Sequence, residues 1–284
     1  MSILWSRRHL LNCAGATAAL LAAHPGLMAA STQTAGCARD FDARNAMRFI
    51  DLPDLKQVGL KPVTVVYASE LWPKQADRRE PDSHFVETVA APRLRPKVTD
   101  LAVIDVEHWD LAGISPVDID RNTRRYVALL TALRKSFPGV KLGLYGTIPV
   151  RDYWTPVKGS PSRLQAWRHD NRRLQPIADV VDVVFPSLYA FYDDADGWIT
   201  YAQANMDEAK AYGKPVYPFL WPQYHGSRDQ IAPDFWRVQL ETVFENADGM
   251  VIWTPAKGKP RWNPEAPWWR ETVDFLRTAG LAEE

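Results

Sequence analysis

Six short apolar, β-branched runs recur through the chain, at Val63–Ala68, Leu101–Val106, Val140–Tyr145, Val180–Tyr189, Pro215–Trp221 and Met250–Trp253. A segment with helical spacing separates each from the next. The clearest is Asn122–Phe137, where Tyr126, Leu129, Leu130, Leu133 and Phe137 recur at three and four residues. Asp120 stands near its start as a cap, and Pro138-Gly139 stops it. Comparable segments are His84–Leu94, Arg163–Ile177, Tyr201–Tyr212, Pro233–Asn246 and Trp268–Leu276. Strands that alternate with helices of this length pair in parallel through right-handed crossovers. Strands apolar on nearly every residue are buried on both faces.

This rhythm predicts an α/β fold, an irregular (β/α) TIM-type barrel with about seven strands. Six strands are clear and a seventh is expected near Arg48–Leu52. A chain of 284 residues suits one such barrel. An open doubly wound sheet is the alternative, but no Gly-rich phosphate loop follows the first strand, which removes the main dinucleotide-binding class. There is no internal repeat and no low-complexity linker.

The first thirty residues read as an address. Ser6-Arg7-Arg8-His9-Leu10-Leu11 leads into an apolar run to Ala23 and small residues at Met28-Ala29-Ala30. That run is shorter than the ~20 residues a membrane span requires. The paired arginines resemble a twin-arginine export signal, with Asn12 in place of its usual Lys; an ordinary Sec signal is the alternative. Either predicts a periplasmic or secreted protein with no stable membrane anchor. The expected organisation is a cleaved signal at 1–30, an N-terminal extension at 31–62 and the catalytic barrel at 63–284. Cleavage would remove Cys13 and leave Cys37 as the one mature thiol, so no internal disulfide is expected.

Composition excludes several functions. With 34 basic and 34 acidic residues the chain is neutral, which argues against nucleic acid held by bulk electrostatics. His84, His108, His169 and His225 show no metal-ligand spacing, so neither a metal nor a cofactor is expected. Asp193, Asp194 and Asp196 form an acidic loop, read as a solvated turn in preference to a weak cation site. The 12 Trp exceed what core packing alone asks for and suggest a stacking surface.

In such barrels the chemistry sits at the C-terminal ends of the strands. Those ends offer, in order, Glu70 and Trp72; Asp105, Glu107 and Trp109; Tyr145, Arg151, Asp152, Tyr153 and Trp154; Tyr189, Tyr192, Asp193 and Asp194; Trp221, Gln223, Tyr224 and His225; and Trp253 followed by Lys257, Lys259 and Arg261. Every end supplies an aromatic ring and several supply a carboxylate. Rings that stack on sugar faces beside carboxylates that move protons describe a glycosidase cleft. The substrate-binding candidates are Trp253, Tyr145, Tyr153, Trp109, Tyr192, Trp221, Tyr224 and Arg151.

Asp105 and Glu107 carry the sharpest signal. Two residues apart on a strand, they point to one face about 7 Å apart. Buried inside a barrel, unpaired carboxylates are costly, and their proximity and burial should raise one pKa. A structural pair bonded to arginines across the barrel is the alternative.

The wider pattern resembles the hyaluronidase glycoside hydrolases. Leu101-Ala102-Val103-Ile104-Asp105-Val106-Glu107-His108-Trp109 is similar to that family's signature strand, with Val106 in place of a Trp. Phe185-Pro186-Ser187-Leu188-Tyr189, Lys214-Pro215-Val216-Tyr217-Pro218 and Gly249-Met250-Val251-Ile252-Trp253 resemble later strands. The family's Phe-Pro-Asp-Cys-Tyr-Asn motif has no secure counterpart: Leu144-Tyr145-Gly146-Thr147-Ile148-Pro149 stands there, with Tyr145 or Tyr153 available to replace its Tyr. The resemblance implies a retaining endo-glycosidase acting on an N-acetylhexosamine-containing polysaccharide. Glu107 would be general acid and base, Asp105 would orient the substrate's 2-acetamido nucleophile, Tyr189 would donate a hydrogen bond, and Trp253 would wall the pocket. Arg151, Lys158, Arg228, Lys257, Lys259 and Arg261 would meet uronate carboxylates if the polymer is anionic. A barrel muramidase acting on peptidoglycan and a non-catalytic carbohydrate-binding barrel are the other readings.

Overall fold

A computed structural model describes residues 40–73, 77, 80–255, 258 and 260–282. The leader, Cys37, Lys257 and Lys259 lie outside the described residues.

Among the described residues, seven short strands form two all-parallel sheets. They are β1 (Asp42–Ala46), β2 (Lys61–Pro62), β3 (Thr64–Tyr67), β4 (Leu101–Asp105), β5 (Lys141–Leu144), β6 (Phe219–Leu220) and β7 (Gly249–Trp253). The sheet orders are β2-β1-β7-β6 and β3-β4-β5. Isolated parallel bridges Tyr145↔Phe185, Val184↔Val216 and Ser187↔Phe219 make residues 184–187 the link between β5 and β6. On the other side β2 and β3 are successive parts of one extended segment, interrupted at Val63. The circuit therefore closes as an irregular (β/α) barrel, the fold class expected from the sequence.

The strand at residues 184–187 survives only as single bridges because Pro186 has no N–H to give the ladder. Gly143 allows close approach there: a Cβ at that position would run into the Val183 carbonyl and the Phe185 ring.

Two expectations about the N-terminal part need correction. The seventh strand is Asp42–Ala46, not Arg48–Leu52, and it pairs with β7 over its whole length. The barrel thus begins inside the stretch expected to be an extension, at 31–62. Asp-Ala-Arg-Asn-Ala carries no β-branched or aromatic residue, so nothing in its local preference announces a strand. Ile50, in the run expected to be a strand, makes only a single bridge to Arg261.

The helices match the expected spacing, with shifted ends. Ser115, not Asp120, caps the long helix Pro116–Ser136: its side chain accepts from the Asp118 N–H, with Pro116 at the first helical position. Asp120 is inside that helix and pairs with Arg173 at 3.1 Å.

Side chains fill two layers. Inside the barrel lie Leu101, Val103, Val183, Phe185, Tyr217, Phe219 and Val251. Their neighbours Ala102, Ile104, Leu142, Leu144, Leu220, Met250 and Ile252 face outward against the helices. This period of two is what parallel strands buried on both faces require.

Charge closes the N-terminal end. Arg44 projects inward from β1 with 5% of its side chain exposed. Its Nη2 donates to Asp42 Oδ2 at 2.6 Å, and Nη1 and Nη2 donate to the two oxygens of Asp100 at 2.7 and 2.8 Å. Nη1 also reaches the Pro62 carbonyl at 3.1 Å. Asp100 immediately precedes β4, so this one guanidinium joins the two sheets. The hydrogen bond from Arg44 holds the Asp100 carboxyl below its ordinary pKa.

Replacing Arg44 by Ala leaves Asp42 without its guanidinium and opens the seam. Removing one partner of such a network costs about 3 kcal/mol, read as a lower urea midpoint at pH 7. Because the folded Asp100 pKa is depressed, its contribution is present at neutral pH and is lost on acidification below about 4. The parent and variant midpoints should therefore converge in acid. A loss below about 1 kcal/mol at pH 7 would show that the seam does not rely on Arg44.

Candidate active site

The C-terminal end of the same barrel is polar and aromatic. Leu101, Val103 and Asp105 alternate into the interior along β4, and the strand ends at Asp105. Val106 turns outward and is fully buried, and Glu107 beyond it is exposed. Helix Pro116–Ser136 fixes this stretch: the Tyr126 hydroxyl lies 2.8 Å from the Val106 carbonyl and 3.2 Å from that of Trp109, and Asn122 Nδ2 donates to the Asp110 carbonyl at 2.8 Å.

The Asp105 pKa rises to about 7. Burial is the largest cause, followed by the charge of the neighbouring Glu107 and by its polar influence. Near neutrality Asp105 is thus pushed toward its protonated form. No guanidinium bonds either carboxylate among the described residues, unlike the structural-pair alternative.

Phenols surround the pair. Tyr189 is buried with its ring 6.0 Å from that of Tyr145; burial raises its pKa well above the ordinary value, helped by Tyr145 and by the Asp105 charge. Tyr145 is pushed up to about 12, mainly by burial. Its hydroxyl lies 3.0 Å from Ser187 Oγ, which also accepts from Arg151 Nη1 at 3.3 Å. A cleft of about 200 Å³ opens here, with Glu107, Tyr145, Thr147, Arg151 and Ser187 on its wall.

Three rings form a box beside the carboxylates. Tyr189 stacks on Trp253 with centroids 5.7 Å apart, and Trp221 stands perpendicular to Trp253 at 5.3 Å. Trp253 Nε1 donates to the Tyr67 hydroxyl at 3.3 Å. The Arg228 guanidinium covers Trp221 at 5.0 Å. His225 stacks on Tyr189 at 6.1 Å, its pKa lowered by burial and by the Arg151 and Arg228 charges.

The barrel is similar to that of bee venom hyaluronidase. A crystal structure of that enzyme superposes with a TM-score of 0.60, covering 86% of this chain and 100% of its own at 13% identity. A second, of bee venom hyaluronidase with a hyaluronic acid tetramer, gives 0.58 over 84% and 96%, also at 13% identity. No family model and no curated protein matches the sequence. At this identity the likeness carries the fold.

The site candidates separate into three groups. Asp105, Glu107, Tyr145, Tyr189, Trp221, Trp253 and Arg151 meet around the cleft and the aromatic box. Trp109 is buried behind Glu107, edge-on to Tyr126 at 5.0 Å, with one side on the cleft wall. Tyr153, Tyr192 and Tyr224 stand further out: the Tyr224 hydroxyl donates to Asp193 at 2.7 Å and its ring packs near Phe235 at 6.4 Å. Asp194 in the acidic loop caps helix Ala195–Lys210 by accepting from Gly197.

The β3 end was expected to offer Glu70 and Trp72, and the structure places Tyr67 there instead. The strand ends at Tyr67, one residue before the expected end at Ala68, because helix Ala68–Leu71 begins at once. Glu70 accepts from the Tyr67 N–H at 3.0 Å, and Trp72 is buried with its Nε1 on the Glu80 carbonyl at 2.9 Å. Tyr67 was legible only as the next-to-last residue of the run Val63–Ala68. Ser187 and His225 were both in view, but only the fold brings them to Tyr145 and Tyr189.

Asp105 keeps a proton in the native state that the unfolded chain has released, so native stability falls as pH climbs from about 4 to about 7. Asp105→Asn removes that penalty. Its urea midpoint should gain on the parent's between pH 4.5 and pH 8, and a constant difference would show that Asp105 is not the proton holder.

Proposed function

We propose that this protein is a retaining endo-glycosidase that hydrolyses an N-acetylhexosamine-containing polysaccharide with help from the substrate's own 2-acetamido group. One observation carries the reading: two neighbouring carboxyls at the C-terminal end of a barrel strand, the buried one with its pKa raised to about 7, beside a cleft lined by phenols and a box of stacked rings. A glycosidase must deliver a proton to a leaving oxygen and stabilise positive charge next to it. A binding protein has no use for a buried carboxylic acid that costs stability. The barrel's likeness to bee venom hyaluronidase supports the same class of chemistry.

The Asp105–Glu107 pair holds one proton between two oxygens. Glu107, the exposed member, faces the cleft and delivers that proton to the glycosidic oxygen as the C1–O bond breaks. The acetamido oxygen attacks C1 from the opposite face and forms an oxazolinium ring. Asp105, left as the carboxylate, accepts a hydrogen bond from the acetamido N–H and stabilises its positive charge. Tyr189 donates to the acetamido group and Trp253 packs against its methyl. Glu107 then takes a proton from water, which opens the ring with overall retention. Holding the resting proton on Asp105 keeps Glu107 supplied without requiring Glu107 itself to be buried.

Arg151 and Arg228 flank His225 and have no carboxylate partner among the described residues. That favours an anionic polymer. The Arg7-Arg8 leader supports export, which would bring the enzyme to polymers outside the cytoplasm.

The test uses mature protein and its Glu107→Gln variant on hyaluronan, chondroitin, chitin oligomers and peptidoglycan, with product sizes read by mass spectrometry. Oligosaccharides from the parent, with kcat/KM at least about 10³-fold lower in the variant, are expected. Equal activity in both would remove Glu107 from the mechanism. Muropeptides from peptidoglycan with the other polymers untouched would favour a muramidase using the same pair.

The rate should also report the shared proton. Above pH about 7 Asp105 ionises and the pair has no proton to give, so kcat/KM should fall up to about tenfold per pH unit. A rate that stays flat to pH 9 would exclude proton donation by the pair.

A further inference from the structure

Among the described residues only two aromatic side chains are left exposed, Trp154 at 47% and Tyr192 at 45%, and they touch, with ring centroids 5.0 Å apart. Trp154 opens helix Trp154–Lys158 in the loop after β5, and Tyr192 lies in the loop after residues 184–187. Both therefore belong to the C-terminal face that carries the cleft. They come from separate loops, so their contact is made by the fold and not by adjacency in sequence.

The pair is propped from below. Tyr153, itself buried, has its ring 5.0 Å from Trp154, 5.2 Å from Tyr192 and 5.0 Å from Tyr201. The Tyr201 hydroxyl donates to the Ser187 carbonyl at 2.6 Å, which ties this stack to the cleft wall. A row of rings also leads from the pair to the catalytic centre. Phe191 lies 6.4 Å from Tyr192 and 5.0 Å from His225, which stacks on Tyr189. The Arg151 guanidinium sits 5.0 Å above Phe191, and the Lys158 ammonium 4.9 Å from the Trp154 ring.

We infer that Trp154 and Tyr192 form a distal sugar-stacking subsite that takes pyranose units of the same polymer several residues from the cleaved bond. A pyranose presents a flat C–H face that buries against a ring while its hydroxyl edge stays in water, so two tilted rings at a wet surface suit it. A protein partner would need a larger contiguous apolar patch than two rings bordered by a lysine. Rigid support below lowers the ordering cost of binding. Continuity with the ring row makes the occupant the substrate chain itself. The inference rests on the glycosidase reading for its ligand, and binding is measured apart from turnover so that the two can fail separately.

The experiment is affinity electrophoresis through gels containing hyaluronan, chondroitin or glycol chitin, using Glu107→Gln protein so that nothing is cut. Trp154→Ala, Trp154→Phe and Tyr192→Ala are added singly to that background, with the urea midpoint of each checked against the parent. On the polymer that retards the parent most, Trp154→Ala and Tyr192→Ala should each weaken binding about tenfold, and Trp154→Phe should restore most of it. Weakened binding in a protein that cleaves none of these polymers would uphold the subsite and overturn the glycosidase reading. Cleavage by the parent with unchanged affinity in both alanine variants would overturn the subsite and leave the glycosidase reading standing. Retardation of no form by any of the three polymers would also overturn the subsite.

Discussion

Where the two parallel sheets meet at the foot of the barrel, a single guanidinium spans their seam. Arg44 bonds Asp42 on its own strand and both oxygens of Asp100 at the foot of β4. Backbone pairing at that corner is short: β1 pairs with Lys61 and Pro62, the Asn45 carbonyl accepts from the Val63 N–H at 3.3 Å, and the same segment continues as β3 to pair with β4. Buried charge matched by opposite charge reinforces it, which is the condition under which an interior arginine is tolerated.

The opposite end of the same interior solves the opposite problem. Asp105 occupies the inward position two residues above Val103, in the column that begins at Leu101, yet its neighbour is another carboxyl. Matched charge at the N-terminal end stabilises the fold, and like charge at the C-terminal end is destabilising unless a proton is retained. That proton is the resource a glycosidase consumes and regenerates. The barrel thus holds a charge-matched end and a like-charge end about one strand apart, and the latter is walled by phenols whose own pKa values burial drives upward.

Helix Pro116–Ser136 connects scaffold to chemistry. Its buried side, with Leu129, Leu130 and Leu133, packs on the barrel, and from that same face Tyr126 and Asn122 bond the backbone that carries Glu107. Glu107 lies past the last strand hydrogen bond and would wander without those bonds. The periodicity that makes the helix recognisable also places the hydroxyl that holds the backbone just before Glu107.

Much of this was written into the sequence. The run from Leu101 to Glu107 announced a buried strand ending in two carboxylates, and the strand–helix alternation announced a barrel, because hydrophobic period and chain length depend on residue type alone. Strand β1 was silent, since Asp-Ala-Arg-Asn-Ala is a strand only through its neighbour β7 and its inward arginine. That Asp105 is the carboxyl whose pKa burial raises was equally silent, because it depends on which side chain the barrel mouth desolvates. Only the fold could join Trp154 to Tyr192, or bring Tyr67, Ser187 and His225 to the phenols of the site, for these contacts cross separate loops and strands. Sequence determined which residues are able to do chemistry here; tertiary structure decided which of them meet and which one is dry.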